Sequence, residues 1–116
     1  MSKEPIVIRP WGGYILLKKT NQYSAKKIFI HKDAQVSFQS HPHREEIWFV
    51  LSGVIRVCIG SNPQQMNPGD IVAIPKKIKR QMKGITEAWV LKIALEKMID
   101  EETANDYCLA SSESTL

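Results

Sequence analysis

The sequence is poor in cysteine, and its two cysteines, Cys58 and Cys108, lie fifty positions apart. That spacing makes neither a disulfide framework nor a zinc ribbon, and it reads as two free thiols in a reducing cytoplasm. No apolar run approaches the ~20 residues of a membrane-crossing helix, so no membrane partner is expected. The segment from Met1 to Arg9 lacks an apolar stretch after its first charge, which argues against a secretory signal. There is no Gly-rich phosphate loop, nucleophile elbow or dinucleotide fingerprint. Charge of one sign is not dominant either. Sixteen Lys and Arg against twelve Asp and Glu leave a net +4, which permits an anionic ligand without requiring nucleic acid. Histidine is scarce, with His31, His41 and His43 the whole supply.

What is present is an ordinary globular composition, 43% hydrophobic and 24% charged over 116 residues. That is enough chain for one core and not for two, so residues 1–116 read as one domain, its core over about 9–95 and a Ser-rich tail over 110–116. Short runs rich in β-branched and aromatic residues recur: Val7–Ile8, Tyr14 to Leu17, Lys27 to Ile30, Gln35 to His43 and Ile47 to Leu51. Val54 to Ile59, Ile71 to Ile74, Arg80 to Lys83 and Trp89 to Leu95 continue the series. Turn signals separate them at Ser52-Gly53, Gly60-Ser61-Asn62-Pro63, Asn67-Pro68-Gly69-Asp70 and Lys83-Gly84. The expected fold is all-β, an antiparallel barrel or jelly roll. Leu95 to Tyr107 is the one segment that reads as a helix.

The chemistry concentrates in Ser37-Phe38-Gln39-Ser40-His41-Pro42-His43-Arg44-Glu45-Glu46. Alternate side chains of a strand share a face, so Gln39, His41 and His43 would project together. A bend at Arg44-Glu45 would bring Glu46 back to the same space. Two imidazoles, a carboxylate and an amide oxygen make a first shell for a divalent metal. The bland alternative is a polar His pair on a strand surface.

At these residues the sequence resembles the cupin superfamily. Its first motif is matched by His41, His43, Glu46 and Gly53, and its second, in part, by Gly69-Asp70 and Pro75. Within it the chain is similar to the small cupin domain of type II mannose-6-phosphate isomerases, matched by Arg9-Pro10-Trp11-Gly12-Gly13-Tyr14, Lys26-Lys27-Ile28, Arg44 and Trp48. The resemblance implies a cupin-type double-stranded β-helix. It also implies interconversion of mannose 6-phosphate and fructose 6-phosphate, with zinc, nickel, manganese or iron held by His41, His43, Glu46 and Gln39. Glu46 and Lys26 are the candidates for the base. Arg80, Lys79 and Lys26 are the candidates for holding the phosphosugar or another anion, and a homodimer is the expected assembly.

Two positions depart from the family's pattern. Lys77 stands where the second motif has a Gly, and Arg80 where it has its last His ligand. Arg stays charged and cannot ligate a metal, so Arg80 inside a barrel must find an anion, either Glu46 or a ligand's phosphate or carboxylate. The competing reading is therefore a non-catalytic small cupin that binds a sugar or small anion beside a degraded metal site. The run Lys76, Lys77, Lys79, Arg80 and Lys83 is either a solvated edge or a phosphate clamp. No aromatics are interleaved with it, so a nucleic-acid platform is not expected.

Overall fold

A computed structural model of the chain describes residues 6–38 and 44–96. Ten strands fill it: β1 (Ile6–Arg9), β2 (Gly12–Lys19), β3 (Tyr23–Ile30), β4 (Gln35–Phe38) and β5 (Arg44–Ser52). They are followed by β6 (Ile55–Ile59), β7 (Asn62–Met66), β8 (Ile71–Ile74), β9 (Arg80–Gly84) and β10 (Ala88–Glu96). They form two antiparallel sheets, one ordered β1-β2-β3-β10-β5-β8 and the other β4-β9-β6-β7. This is the expected all-β jelly roll of cupin type.

Period-two alternation decides what lies between the sheets. On β3, Ile28 and Ile30 are buried; on β5, Arg44, Glu46, Trp48 and Val50; on β10, Ala88, Val90, Lys92 and Ala94. The facing sheet contributes Phe38, Ile55, Val57, Met66, Arg80 and Met82. Register sorts these by chemistry. Val90 stands opposite Ile28 and Val50, while two residues on, Lys92 stands opposite Lys26 and Trp48. One half of the interior is therefore apolar and the other charged. Trp48 sits at the boundary, its ring edge-on to Phe38 at a centroid distance of 5.4 Å.

Two expectations about local structure are corrected. Leu95 and Glu96 continue β10 and pair with Glu45 and Arg44, so the expected helix does not begin at Leu95; residues 97–107 lie outside the described residues. Asn62-Pro63 was expected as turn but opens β7, which pairs with β6. A polar stretch with Pro carries no strand signal. It is tolerated here because β7 is an edge strand, where a missing N–H need not break a ladder.

Both motif turns do mechanical work. Gly53 has a φ of 80° between β5 and β6, and a Cβ there would overlap the Glu87 carbonyl oxygen. In the second turn, the Asp70 carboxylate accepts from the Asn67 N–H at 2.8 Å, and Gly69 N–H donates to the Val50 carbonyl at 2.8 Å. That pins the β7–β8 connection to β5. After β8, Lys77 takes a φ of 68°, keeping the left-handed turn that the family pattern assigns to Gly. Lys77→Gly should therefore stabilise the fold by about 0.5–1 kcal/mol, the left-handed cost less the entropy of Gly. An unchanged or lower urea midpoint would contradict this.

Candidate functional site: a carboxylate shared by interior cations

Glu46 is buried on β5 and has three donors. The Trp48 indole N–H donates to its Oε1 at 3.0 Å. Arg80 reaches the same oxygen at 3.2 Å, and Lys92 Nζ lies 3.3 Å from Oε2. The carboxylate thus joins β5, β9 and β10, and with them the two sheets. Arg80 is held at its other nitrogens as well: Nε donates to the Ile78 carbonyl at 2.8 Å and Nη2 to the Pro75 carbonyl at 3.0 Å. Of the two partners expected for Arg80, the structure has Glu46. Lys92 also lies 4.5 Å from the centroid of Phe38.

Lys26 occupies the inward face of β3 ahead of Ile28 and Ile30 and is half-buried. Its Nζ stands 4.7 Å from the centroid of the Tyr14 ring. Arg44 is buried at the start of β5. Four cations, Lys26, Arg44, Arg80 and Lys92, therefore line the charged half around one carboxylate among the described residues. Arg80 and Lys92 share it directly.

The charges respond asymmetrically. Burial pushes the Glu46 carboxyl up, but Lys92 and Arg80 pull it further down, with the Trp48 hydrogen bond adding to them, so it lies below its ordinary value. Lys92 loses its solvent and has only a share of Glu46, so it lies below the usual lysine range. Lys26 is lowered to about 8, by burial first and then by Lys92 and Arg44, with Glu46 opposing them.

Of the expected site residues, Glu46, Lys26 and Arg80 come together. Lys79 is not at Glu46: it is exposed and lines a surface hollow of about 200 Å³ with Ser37, Cys58, Gln81 and its neighbour Arg80. In the basic run, Arg80 alone is buried. Gln39, His41 and His43 lie outside the described residues. Of the expected metal shell only Glu46 is described, and both its oxygens already carry donors. Arg80 and Lys92 within 3.3 Å of that carboxylate would repel a divalent cation, so the described residues do not fit one. Lys92 was not foreseen. Its signal was a lone Lys in the run Val90-Leu91-Lys92-Ile93-Ala94, sharing the face of Val90 and Ala94.

A family model described as mannose-6-phosphate isomerase C-terminal matches residues 2–113. The chain belongs to that family. Among curated relatives, the mannose-1-phosphate guanylyltransferase ManC of Salmonella typhimurium is 33% identical over 69 residues, covering 60% of this chain and 14% of its own. The xanthan biosynthesis protein XanB of Xanthomonas campestris is 31% identical over 77 residues, 66% of this chain and 16% of its own. The chain thus spans about a seventh of the length of these relatives. In fold, it resembles an RmlC-like cupin from Shewanella frigidimarina, with a TM-score of 0.76 at 18% identity over 82% of this chain and 86% of the other. KdgF from Halomonas sp. gives 0.73 at 15% identity over 78% and 84%.

Two outcomes follow for this family member. Glu46→Gln should cost about 3–5 kcal/mol, because it leaves Arg80 and Lys92 buried without their anion. Adding Lys92→Met should recover part of that loss, and purely additive urea-unfolding energies would contradict the shared-carboxylate arrangement. Between about pH 8 and 10.5 the folded chain has lost the Lys26 proton while the unfolded chain keeps it, so stability should rise with pH there. Lys26→Met should be more stable than the parent at pH 7 and should flatten that rise. A parent urea midpoint that falls steadily over the same interval would contradict the lowered Lys26.

Proposed function

We propose that this domain binds an anionic sugar of the phosphosugar class in the charged half of its barrel, and holds it with protein cations instead of a metal. The observation that carries the reading is the excess of Lys26, Arg80 and Lys92 over the one interior carboxylate among the described residues, Glu46. In a low-dielectric interior such an excess favours an anion from outside, and Arg and Lys are the natural partners of phosphate. The family description and the names of the relatives, which refer to mannose 6-phosphate and mannose 1-phosphate, support the choice of a mannose phosphate. Arg80 and Lys92 are already held by Glu46, so the half-buried Lys26, which has no carboxylate within ion-pair distance among the described residues, is the residue we assign to first contact with the ligand.

A second reading keeps isomerase activity between mannose 6-phosphate and fructose 6-phosphate, and the family match favours it. Under it Lys26 is the better base, since Glu46 is held by three donors and is slow to accept a proton, whereas a group near pKa 8 exchanges one readily at neutral pH. A metal-dependent version would recruit Gln39, His41 and His43 and would first have to free Glu46 from Arg80 and Lys92.

We also propose a homodimer joined through the outer face of the six-stranded sheet. That face exposes Ile6, Ile8, Leu51 and Ile71, and an apolar groove crosses it between Ile8 and Trp89. The outer face of the other sheet presents Gln35, Ser37, Arg56 and Gln65. The free thiol of Cys58 suits a cytoplasmic setting.

Calorimetry with mannose 6-phosphate in excess chelator tests the main reading. The expected result is binding that survives chelation, weakens with salt and is absent for mannose. Binding that appears only on adding zinc or manganese would favour the metal-dependent isomerase. Sedimentation should give twice 13.2 kDa, and a monomer mass at micromolar concentration would remove the dimer.

A further inference from the structure

We propose that Lys26 is a carbonyl-trapping amine, which forms an imine with an open-chain aldehyde or ketone carrying a phosphate or carboxylate. The inference rests on the anion-binding reading above and adds a covalent step to it. Three placements carry it. Lys26 faces inward on β3, directly across from Lys92 on β10, so two ammonium groups compete for one neighbourhood. Lys92 is matched to Glu46 at 3.3 Å, whereas Lys26 has no carboxylate within ion-pair distance among the described residues and rests against the Tyr14 ring. Unlike Arg80 and Lys92, it is only half-buried, so a small carbonyl compound can reach it.

The groups that face Lys26 are Tyr14 and Lys19 from β2, Arg44 and Glu46 from β5, and Lys92 from β10. Their balance is cationic, which favours the neutral amine. With a pKa of about 8, roughly a tenth of Lys26 is neutral at pH 7, against less than about a thousandth of an ordinary lysine. A lysine beside a second cation in a partly dry site is the usual arrangement of an amine nucleophile. The same cations that hold the amine neutral would draw in the anionic end of a substrate.

The step balances without an oxidant or reductant. The Nζ lone pair forms a bond to the carbonyl carbon, and the C=O π pair moves to oxygen. A proton passes from nitrogen to that oxygen, giving a carbinolamine. The nitrogen lone pair then forms the C=N bond as the C–O bond breaks, and the remaining N–H proton passes to the departing hydroxide, which leaves as water. The product is a sugar held in its open-chain form by a bond that water reverses.

The test treats the full chain with glyceraldehyde 3-phosphate and sodium cyanoborohydride and locates adducts by peptide mass mapping. In parallel, calorimetry uses mannitol 6-phosphate, a phosphosugar without a carbonyl. The expected result is one adduct per chain at Lys26, formed at least about tenfold faster than at the exposed Lys18, Lys77 and Lys79, with a rate that rises through about pH 8. Lys26→Arg should lose that adduct. Adducts spread over exposed lysines with Lys26 unmodified overturn the proposal, and if mannitol 6-phosphate still binds, the anion-binding reading survives that failure. An adduct at Lys26 without mannitol 6-phosphate binding supports the amine and counts against the phosphosugar reading.

Discussion

Glu46, the one buried carboxylate among the described residues, faces more positive charge than it can neutralise, and the barrel depends on that constraint. Glu46 accepts from Trp48, Arg80 and Lys92, and each donor arrives from a strand whose register is set elsewhere. Lys92 is brought in by β10 lying between β3 and β5, and Arg80 by β9 in the opposite sheet. Breaking a buried pair by removing one member costs more than the pair contributes, because the remaining charge has no water. The contact across the two sheets therefore acts as a lock on the charged half of the interior, and hydrophobic packing of Ile28, Val50, Val57 and Met82 secures the other half.

That division has a chemical consequence. A carboxylate facing a barrel interior is a natural ligand for a divalent cation, but here two protein cations sit on its two oxygens. Their combined charge equals that of a divalent metal. Arg80 is fixed further by the Ile78 and Pro75 carbonyls, so it cannot swing away cheaply. With both oxygens of Glu46 taken by Arg80 and Lys92, Lys26 is left without a carboxylate within ion-pair distance among the described residues, and under the proposed function it is there that an outside anion gains most.

Much of the fold was legible in the sequence. Glycine and proline mark the turns, and β-branched runs mark the strands between them. Turn positions such as Gly53 have a physical requirement that no other residue meets, so they read clearly. The polar edge strand β7 did not, because its pairing comes from the neighbour β6 and not from its own side chains. The helical reading fails at Leu95 because the ladder to β5 holds that residue extended. At the site, an arginine at position 80 inside a barrel requires an anion, with Glu46 or a ligand as the two choices, and the structure has Glu46. Lys92 stayed hidden because a lysine in an apolar run is usually an outward residue; only the register opposite Lys26 and Trp48 turns it inward.

The Trp48 indole N–H is a reporter built into this cluster, since it donates to the carboxylate that Arg80 and Lys92 share. Three tryptophans give three indole signals in a proton–nitrogen correlation spectrum, and a Trp48→Phe variant assigns the one that matters. The direct measurement is that signal during titration with mannose 6-phosphate in the presence of chelator, then with zinc alone. A saturable shift with the phosphosugar and none with zinc is expected. A signal that ignores mannose 6-phosphate and moves with stoichiometric zinc would show that Glu46 is a metal ligand after all, and would contradict it.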